Sequence, residues 1–231
     1  MIRLGERVRA DEQMDDPALA RDTYEAVLRD LSRVNWWTLA ARPTLAFLRR
    51  GTLGMTRFRL LDVGFGQGDM LRRIAAWARR RGLEAELIGV DLNPGSAVSA
   101  RAATPASLAI EYRTGDYRDV AEPLDFVVSS LVAHHMSERE LDDFIRFMEA
   151  RAGRGWLIND LHRHGFAYHG FPLLARLIGA HRIVREDGQL SIARAFRPGE
   201  WRVILAAAGV PEGAAKAVRR FPFRLCVERL R

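Results

Sequence analysis

Residues 60–68 read Leu60-Leu61-Asp62-Val63-Gly64-Phe65-Gly66-Gln67-Gly68. An apolar run that leads directly into three alternating glycines predicts a buried strand, a tight turn and the start of a helix. Glycines let a ligand approach the backbone closely at a helix N-terminus, where unpaired N–H groups are available. The motif therefore predicts a ligand-binding loop at the carboxyl end of a strand in an α/β sheet.

The chain after Phe58 alternates between strand-like and helix-like segments. Strands are expected at residues 59–63, 86–90, 108–112, 124–129 and 155–159, and helices at residues 70–80, 97–103, 138–149 and 198–208. Two further strand-like runs, 214–221 and 223–230, meet at Pro222 and predict an antiparallel hairpin at the sheet edge. The fold expected is a Rossmann-like, doubly wound sheet of seven strands, mostly parallel.

Two regions lie outside this alternation. Residues 1–57 are expected to form an N-terminal helical cap, with one helix beginning at Asp16-Pro17 and a second from Leu39 to Leu48. Residues 58–231 are expected to form the main domain. Within it, residues 161–197 are predicted to be an inserted lid, whose apolar part runs from Phe166 to Ile183.

Acidic residues follow the second and third predicted strands. Asp91 comes 23 residues after Gly68, close to the spacing of an acid that binds ribose hydroxyls. A helix N-cap near Pro94 is the alternative role. Gly115-Asp116-Tyr117 follows the third strand, and a simple turn is the alternative there. Because ligands bind at the carboxyl ends of strands in open α/β sheets, these acids are expected at one site.

A dinucleotide site would need a small residue where this chain has Asp69. An acid at that position packs poorly against the strand and repels a pyrophosphate. The sequence therefore disfavours a nicotinamide oxidoreductase.

The spacing Asp62-x-Gly64-x-Gly66-x-Gly68 resembles the first motif of class I S-adenosylmethionine-dependent methyltransferases, and the resemblance to the small-molecule enzymes of bacteria covers roughly residues 58–231. It implies that S-adenosyl-L-methionine (SAM) is the cofactor. It also implies a cofactor-binding set of Asp62, Gly64, Phe65, Gly66, Gly68, Asp91, Leu92, Asp116, Tyr117 and Ser129. In this set Asp62 and the glycine loop hold the methionine part, Asp91 the ribose, and Asp116 with Tyr117 the adenine.

All six histidines lie between His134 and His181. The loops after the fourth and fifth strands would face the methyl group, and a hydroxyl acceptor must lose a proton that histidine can take. The candidates for a catalytic base are His135, His162 and His164. Loop scaffolding by the His134–His135 pair and a polar network beside Arg163 are alternative roles.

Catechol-type methyltransferases bind a metal ion, and comparison with their ligand set predicts no metal in this chain. Those enzymes place an acid after the fourth strand, where this chain has Ser129 and Ser130, so Asn159 and Asp160 lack a third ligand. The single cysteine, Cys226, excludes an internal disulfide and a cysteine-based metal cluster.

The activity expected is methyl transfer to a small, largely apolar acceptor, with O-methylation of a phenolic or carboxylic secondary metabolite first. C-methylation of a quinone-like ring, ribose or guanine-N7 methylation of RNA, and a non-catalytic cofactor-binding module remain alternatives. Adenine-N6 methylation is disfavoured because the Asn/Asp-Pro-Pro-aromatic motif is missing after the fourth strand. Cytosine-C5 methylation is disfavoured because Cys226 lies in the terminal hairpin.

The composition agrees with a globular protein of 48% hydrophobic and 28% charged residues. The net charge is +7, but the arginines are scattered, which favours solvated surface over a nucleic-acid site. No apolar run approaches the roughly 20 residues of a membrane span, and the first residues lack the apolar core of a secretory signal. The sequence thus predicts a cytoplasmic protein without membrane insertion, with a small-molecule acceptor as its partner. The oligomeric state stays open, a homodimer being one option.

Overall fold

The computed structural model describes residues 4–16 and 18–231. Its strands are β1 Arg57–Val63, β2 Glu84–Asp91, β3 Ile110–Thr114, β4 Leu124–Ser130, β5 Ala152–Leu161, β6 Lys216–Arg220 and β7 Arg224–Leu230. They form one sheet in the order β3-β2-β1-β4-β5-β7-β6. The first five strands run parallel, and β7 pairs antiparallel with both β5 and β6. The predicted seven-stranded Rossmann-like sheet with a C-terminal antiparallel hairpin is confirmed.

Helices cover both faces of this sheet. They are α1 Arg21–Trp37, α2 Ala41–Gly51, α3 Asp69–Arg80, α4 Pro94–Ala103, α5 Glu138–Arg151, α6 Gly165–Leu177, α7 Arg182–Arg194 and α8 Pro198–Ala207. Ser137 caps the N-terminus of α5 and forms a reciprocal capping box with Glu140. None of the helices in the described ranges has the length and apolar character needed to cross a bilayer.

Several elements differ from their predicted bounds, most of them by one to three residues. Helix α1 begins at Arg21 rather than at Asp16-Pro17; Asp16 accepts a hydrogen bond from the Ala18 N–H, and Pro17 lies outside the described residues. Strand β3 begins two residues later than predicted, because the backbone turns at Leu108, whose N–H bonds the carbonyl of Pro105. The stretch predicted as an apolar lid is a pair of packed helices, α6 and α7.

The core has one large cluster on each face of the sheet. One cluster surrounds Phe144, Trp156 and Trp201 under α5 and α8. The other contains Phe47 of α2, whose ring lies 5.9 Å from that of Phe126 on β4. Helix α2 therefore packs directly on the sheet, and it anchors the N-terminal segment that reaches the strand ends.

The turn after β1 depends on glycine for two separate reasons. Gly64 has a φ of +75°, and a Cβ built on it would lie 2.3 Å from Cγ2 of Val132. Gly54 has a φ of +76° but no atom within 4 Å of the same position. The two residues thus share the left-handed backbone, while only Gly64 has a close neighbour.

We predict that Gly54→Ala lowers the free energy of unfolding by about 1–2 kcal/mol, the cost of a left-handed conformation for an L side chain. Gly64→Ala should cost about 1–3 kcal/mol more, because the added methyl group also overlaps Val132. Denaturant unfolding of both variants and of Gly64→Ala/Val132→Ala measures the difference. Equal losses in the two single variants would show that the contact with Val132 is unimportant.

Candidate functional site

A cavity of about 1100 Å³ lies at the carboxyl ends of β1, β2 and β4. Its floor contains the turn after β1, and its walls come from α1, α6 and α7 and from the segment before α1. In the sheet, β2 and β3 lie on one side of β1, and β4 and β5 lie on the other. Ligands of open α/β sheets bind at the carboxyl ends of the strands where the strand order changes direction in this way. The site is therefore built where the sequence predicts it.

The turn after β1 presents backbone toward this cavity. Gly64, Gly66 and Gly68 all have positive φ, and Gly68 is the residue that precedes α3. The carboxylate of Asp91 accepts hydrogen bonds from the N–H groups of Gly66 and Asn93, both at 2.9 Å. Asp91 thus fixes the shape of the loop as well as lining the cavity.

Asp62 is the most unusual group in the cavity. Its side chain is only 1% exposed, and neither carboxylate oxygen has a hydrogen-bond partner among the described residues. Burial, followed by the nearby charges of Asp69 and Asp91, raises the pKa of Asp62 well above its ordinary value. A buried carboxylate without a donor is costly, so a ligand that brings a cation and hydrogen-bond donors would be stabilised here. The ammonium group of SAM meets that requirement.

Three carboxylates at one end of the cavity also argue against a phosphate-bearing ligand. Asp62, Asp69 and Asp91 all line this end of the cavity. A pyrophosphate placed on the glycine loop would be repelled by them. The donor set thus fits a cationic nucleoside better than a dinucleotide.

Helix α1 covers the cofactor end of the cavity. Tyr24, Leu28 and Asn35 of α1 line it. The hydroxyl of Tyr24 lies 3.0 Å from that of Ser96 on α4, which ties α1 to the helix that follows β2. The cover is therefore linked to the same strand end that carries Asp91.

The structure brings most of the predicted cofactor set together. The residues of that set that line the cavity are Asp62, Gly64, Phe65, Gly66, Asp91, Leu92 and Tyr117. Gly68 does not line it and serves instead as the N-cap of α3.

Asp116 and Ser129 also lie off the cavity. The Asp116 carboxylate pairs with the Arg118 guanidinium at 2.5 Å and accepts from the Arg118 N–H at 2.8 Å. Ser129 donates to the carbonyl of Val63 at 3.0 Å and is 1% exposed. Side chains alternate along a strand, so the next residue, Ser130, lines the cavity in its place.

Of the three histidines predicted as bases, only His135 lines the cavity. His162 forms a backbone bridge with Phe196, and its ring lies 5.4 Å from that of His164. Burial and nearby arginines lower the pKa of His162. The Nδ1 of His164 accepts a hydrogen bond from the Phe166 N–H at 3.2 Å and so caps α6. Both rings therefore stand apart from the predicted acceptor region.

A buried polar cluster at the other end of the cavity was missed by the sequence reasoning. His134 is 2% exposed, and its Nδ1 lies 2.7 Å from Oδ1 of Asp160. Its Nε2 faces Oε1 of Glu12 at 3.7 Å, beyond hydrogen-bond range. Burial lowers the pKa of His134, but the Asp160 and Glu12 carboxylates outweigh it and raise the pKa to about 9. The cluster joins the turn after β4 to the segment before α1.

His135 completes this cluster. Its Nδ1 lies 3.0 Å from Oδ2 of Asp15, and its Nε2 lies 3.8 Å from Oε1 of Glu12. The sequence signals the paired histidines but not Glu12, because nothing in the local pattern shows that residue 12 returns to the sheet edge more than 120 residues away in the chain.

Helix α6 supplies an apolar wall between the two ends of the cavity. Phe166, Phe171 and Leu174 on one face of α6 line it, together with Ala167 and Gly170. Asn159 and Asp160, the two residues compared above with the metal ligands of catechol-type enzymes, make hydrogen bonds within the protein. Asn159 donates to the carbonyl of Ala40 at 2.8 Å, and Asp160 accepts from the backbone N–H of His134 at 2.9 Å.

Comparison with known proteins agrees with this geometry. Residues 60–155 match the family model described as "Methyltransferase domain". A search of curated proteins by sequence gives no match.

The fold is shared with solved methyltransferase structures of low sequence identity. Magnesium protoporphyrin IX methyltransferase from Synechocystis PCC 6803 with bound SAH has a TM-score of 0.55 at 15% identity, over 95% of this chain and 91% of that one. The plantazolicin methyltransferase BpumL in complex with SAH has a TM-score of 0.64 at 13% identity, over 90% and 95%. Human N-acetylserotonin methyltransferase in complex with SAM has a TM-score of 0.65 at 14% identity, over 97% and 60%.

The domain match spans the glycine turn, the acid that ends β2 and the paired histidines. Residues 60–155 thus match a methyltransferase domain by sequence, and the fold of the chain is that of solved methyltransferases bound to SAM or SAH.

Proposed function

We propose that the chain transfers the methyl group of SAM to an oxygen of a small, largely apolar acceptor, a phenol or a carboxylic acid. The observation that carries this proposal is the continuity of the cavity. One space of about 1100 Å³ is lined by Asp62, by the apolar face of α6 and by His134 and His135. Pockets for a single drug-sized ligand hold about 300–1,000 Å³, so this one has room for a cofactor and an acceptor together.

In this proposal the cofactor lies across the strand ends. Asp62 and the loop from Gly64 to Gly66 hold the methionine part, Asp91 the ribose, and Leu92 with Tyr117 the adenine. Methyl transfer is an in-line displacement, so most of the rate comes from holding the acceptor atom on the line through the sulfur–methyl bond. The protein supplies that alignment through the packed walls of the cavity.

The other end of the cavity sets the acceptor class. The α6 wall offers Phe166, Phe171 and Leu174, which favour an apolar ring or chain. The histidine that we propose beside the acceptor oxygen is His135, which is half-buried at the end of that wall. The solved relatives are named for methyl transfer to magnesium protoporphyrin IX, plantazolicin and N-acetylserotonin, which are small molecules of this general kind.

The test is a turnover assay with purified protein, SAM and a panel of alkylphenols, hydroxyquinones and aromatic carboxylic acids. Formation of S-adenosylhomocysteine (SAH), with mass spectrometry of the product, identifies the acceptor atom. We expect O-methylation and a preference for acceptors with an apolar substituent. Exclusive methylation of carbon, or turnover only with RNA, would contradict the proposal.

We predict that Asp62→Asn weakens SAH binding about 10- to 150-fold, since a charge-assisted hydrogen bond contributes about 1.5–3 kcal/mol. Calorimetry measures the dissociation constant. Asp143→Asn, an exposed residue on α5, is the matched control and should bind SAH as the unmodified chain does. Unchanged affinity in Asp62→Asn would remove Asp62 from the cofactor site.

The same variant tests the charge state of Asp62 in the ligand-free protein. Because the folded-state pKa of Asp62 is raised, the folded chain keeps a proton that the unfolded chain loses above a pH of about 4. Stability should therefore fall as the pH rises from that value toward the raised pKa. Asp62→Asn should flatten this decline and should not lower Tm at pH 7, whereas a steeper decline in the variant would contradict the assignment.

A second pair of variants tests the acceptor wall. Leu174 lines the cavity, while its neighbour Leu173 is 64% exposed and does not. We predict that Leu174→Ala raises KM for an apolar acceptor about tenfold, as expected for lost methylene contacts, with the affinity for SAH unchanged. Leu173→Ala should leave both constants unchanged. Equal effects in the two variants would show that this face of α6 does not contact the acceptor.

A further inference from the structure

Three side chains converge at the acceptor end of the cavity, on the cluster of Glu12, His134 and His135. One ligand atom from each lies within 4.8 Å of the other two. The Nε2 atoms of His134 and His135 lie 3.7 Å and 3.8 Å from the same Glu12 oxygen, and the two rings lie 4.2 Å apart. All three residues line the cavity.

We propose that Glu12, His134 and His135 bind a divalent transition-metal ion whose remaining coordination positions face the acceptor. Two imidazoles and one carboxylate are the donors that zinc and ferrous iron take, and such sites leave positions open for water or substrate. Bonds of about 2.0–2.1 Å in a tetrahedral zinc site place ligand atoms about 3.3–3.4 Å apart. The two separations from the Glu12 oxygen, 3.7 Å and 3.8 Å, need to shrink by only a few tenths of an ångström.

The surroundings of the cluster orient each donor toward one point. Metal-bound histidines usually donate their other ring N–H to a carboxylate, and here Nδ1 of His134 lies 2.7 Å from Asp160 and Nδ1 of His135 lies 3.0 Å from Asp15. The Ser191 hydroxyl donates to Oε1 of Glu12 at 2.8 Å. The side chains are thus held with both Nε2 atoms directed toward Glu12.

A second, independent observation also indicates a ligand: one buried nitrogen of the cluster has no hydrogen-bond partner among the described residues. Nε2 of His134 is buried and has no hydrogen-bond partner in the part of the chain that the structure describes. A metal ion would satisfy it, whereas an apolar acceptor would leave it unpaired. A proton shared with Glu12 is the competing occupant, and it predicts no stoichiometric uptake of metal.

The local charge accommodates a dication. The carboxylates of Glu12, Asp15 and Asp160 surround the two rings. Two guanidinium groups lie nearby: that of Arg194, 3.9 Å from Glu12, and that of Arg7, which donates to the His134 carbonyl at 3.2 Å. Arg194 directs its donors to the carbonyls of Ala10, His134 and His135. It therefore holds together the two segments that carry the donors without occupying the space between them.

This site deepens the proposed function and rests on it for the identity of the acceptor. A bound ion would coordinate the acceptor oxygen and favour its deprotonated form, which selects acceptors with an ionisable hydroxyl or carboxyl group beside the apolar wall. Binding of the ion itself needs neither SAM nor an acceptor.

The test uses untagged protein stripped with a chelator and then titrated with Zn²⁺ by calorimetry and with Co²⁺ by visible absorption. We expect one ion per chain and the absorption bands of Co²⁺ in a site with nitrogen and oxygen donors. His135→Asn should weaken Zn²⁺ binding at least about tenfold, and Asp15→Asn, which removes only the support of His135, by about tenfold. His169→Asn, at an exposed histidine outside the cavity, should bind Zn²⁺ as the unmodified chain does.

No stoichiometric uptake by the stripped protein, or equal binding by His135→Asn and His169→Asn, would overturn the site. SAH titrated into the same stripped protein separates this inference from the proposed function. If SAH binds and Zn²⁺ does not, only the metal site fails. If Zn²⁺ binds and SAH does not, the methyltransferase proposal fails and the metal site stands.

Discussion

The carboxylate of Asp62 is buried at the carboxyl end of β1, and none of the described residues donates a hydrogen bond to it. The glycines of the following turn adopt left-handed backbone conformations, and Asp91 accepts a hydrogen bond from the Gly66 N–H that holds the loop in shape. A buried acid without a donor favours a ligand that brings a cation and hydrogen-bond donors, and that preference separates a sulfonium nucleoside from a dinucleotide on an otherwise similar strand–turn–helix.

The N-terminal segment links the two ends of the cavity. Helix α1 covers the cofactor end through Tyr24 and Leu28, while Glu12 and Asp15, just before it, contact the paired histidines at the acceptor end. Arg194 of α7 and the buried Asp187 hold that segment through its backbone, the latter accepting from the Gln13 and Met14 N–H groups. The same segment therefore contributes to both walls of the cavity.

The fold could be predicted from the sequence because the signals that define it are local. The apolar run before Gly64, the capping residue Ser137 and the alternation of strands with amphipathic helices each depend on a few neighbouring residues. The positions of Asp62 and Asp91 at this edge of the sheet were predictable for the same reason, because each residue lies at the carboxyl end of a strand. Ser129 missed the cavity by one residue, because a strand that is buried on both faces gives no alternation from which to assign its sides.

The acceptor end was harder to predict because it is assembled from distant segments. His162 and His164 follow β5 as expected, but their rings pack beside each other and away from the cavity. Glu12 reaches His134 from a segment without helical or strand periodicity, and only the folded chain shows that contact. Residues brought together by tertiary packing leave no spacing in the sequence from which their proximity can be inferred.

The central claim, that Asp62 selects the ammonium end of the cofactor, is tested most directly by comparing two nucleosides by calorimetry. SAH carries the amino and carboxyl groups, and 5′-methylthioadenosine keeps the adenine, ribose and sulfur without them. We predict saturable binding of one SAH per chain, at least about tenfold tighter than binding of 5′-methylthioadenosine. Equal affinity for the two compounds, or no binding of SAH to the folded protein, would contradict this account.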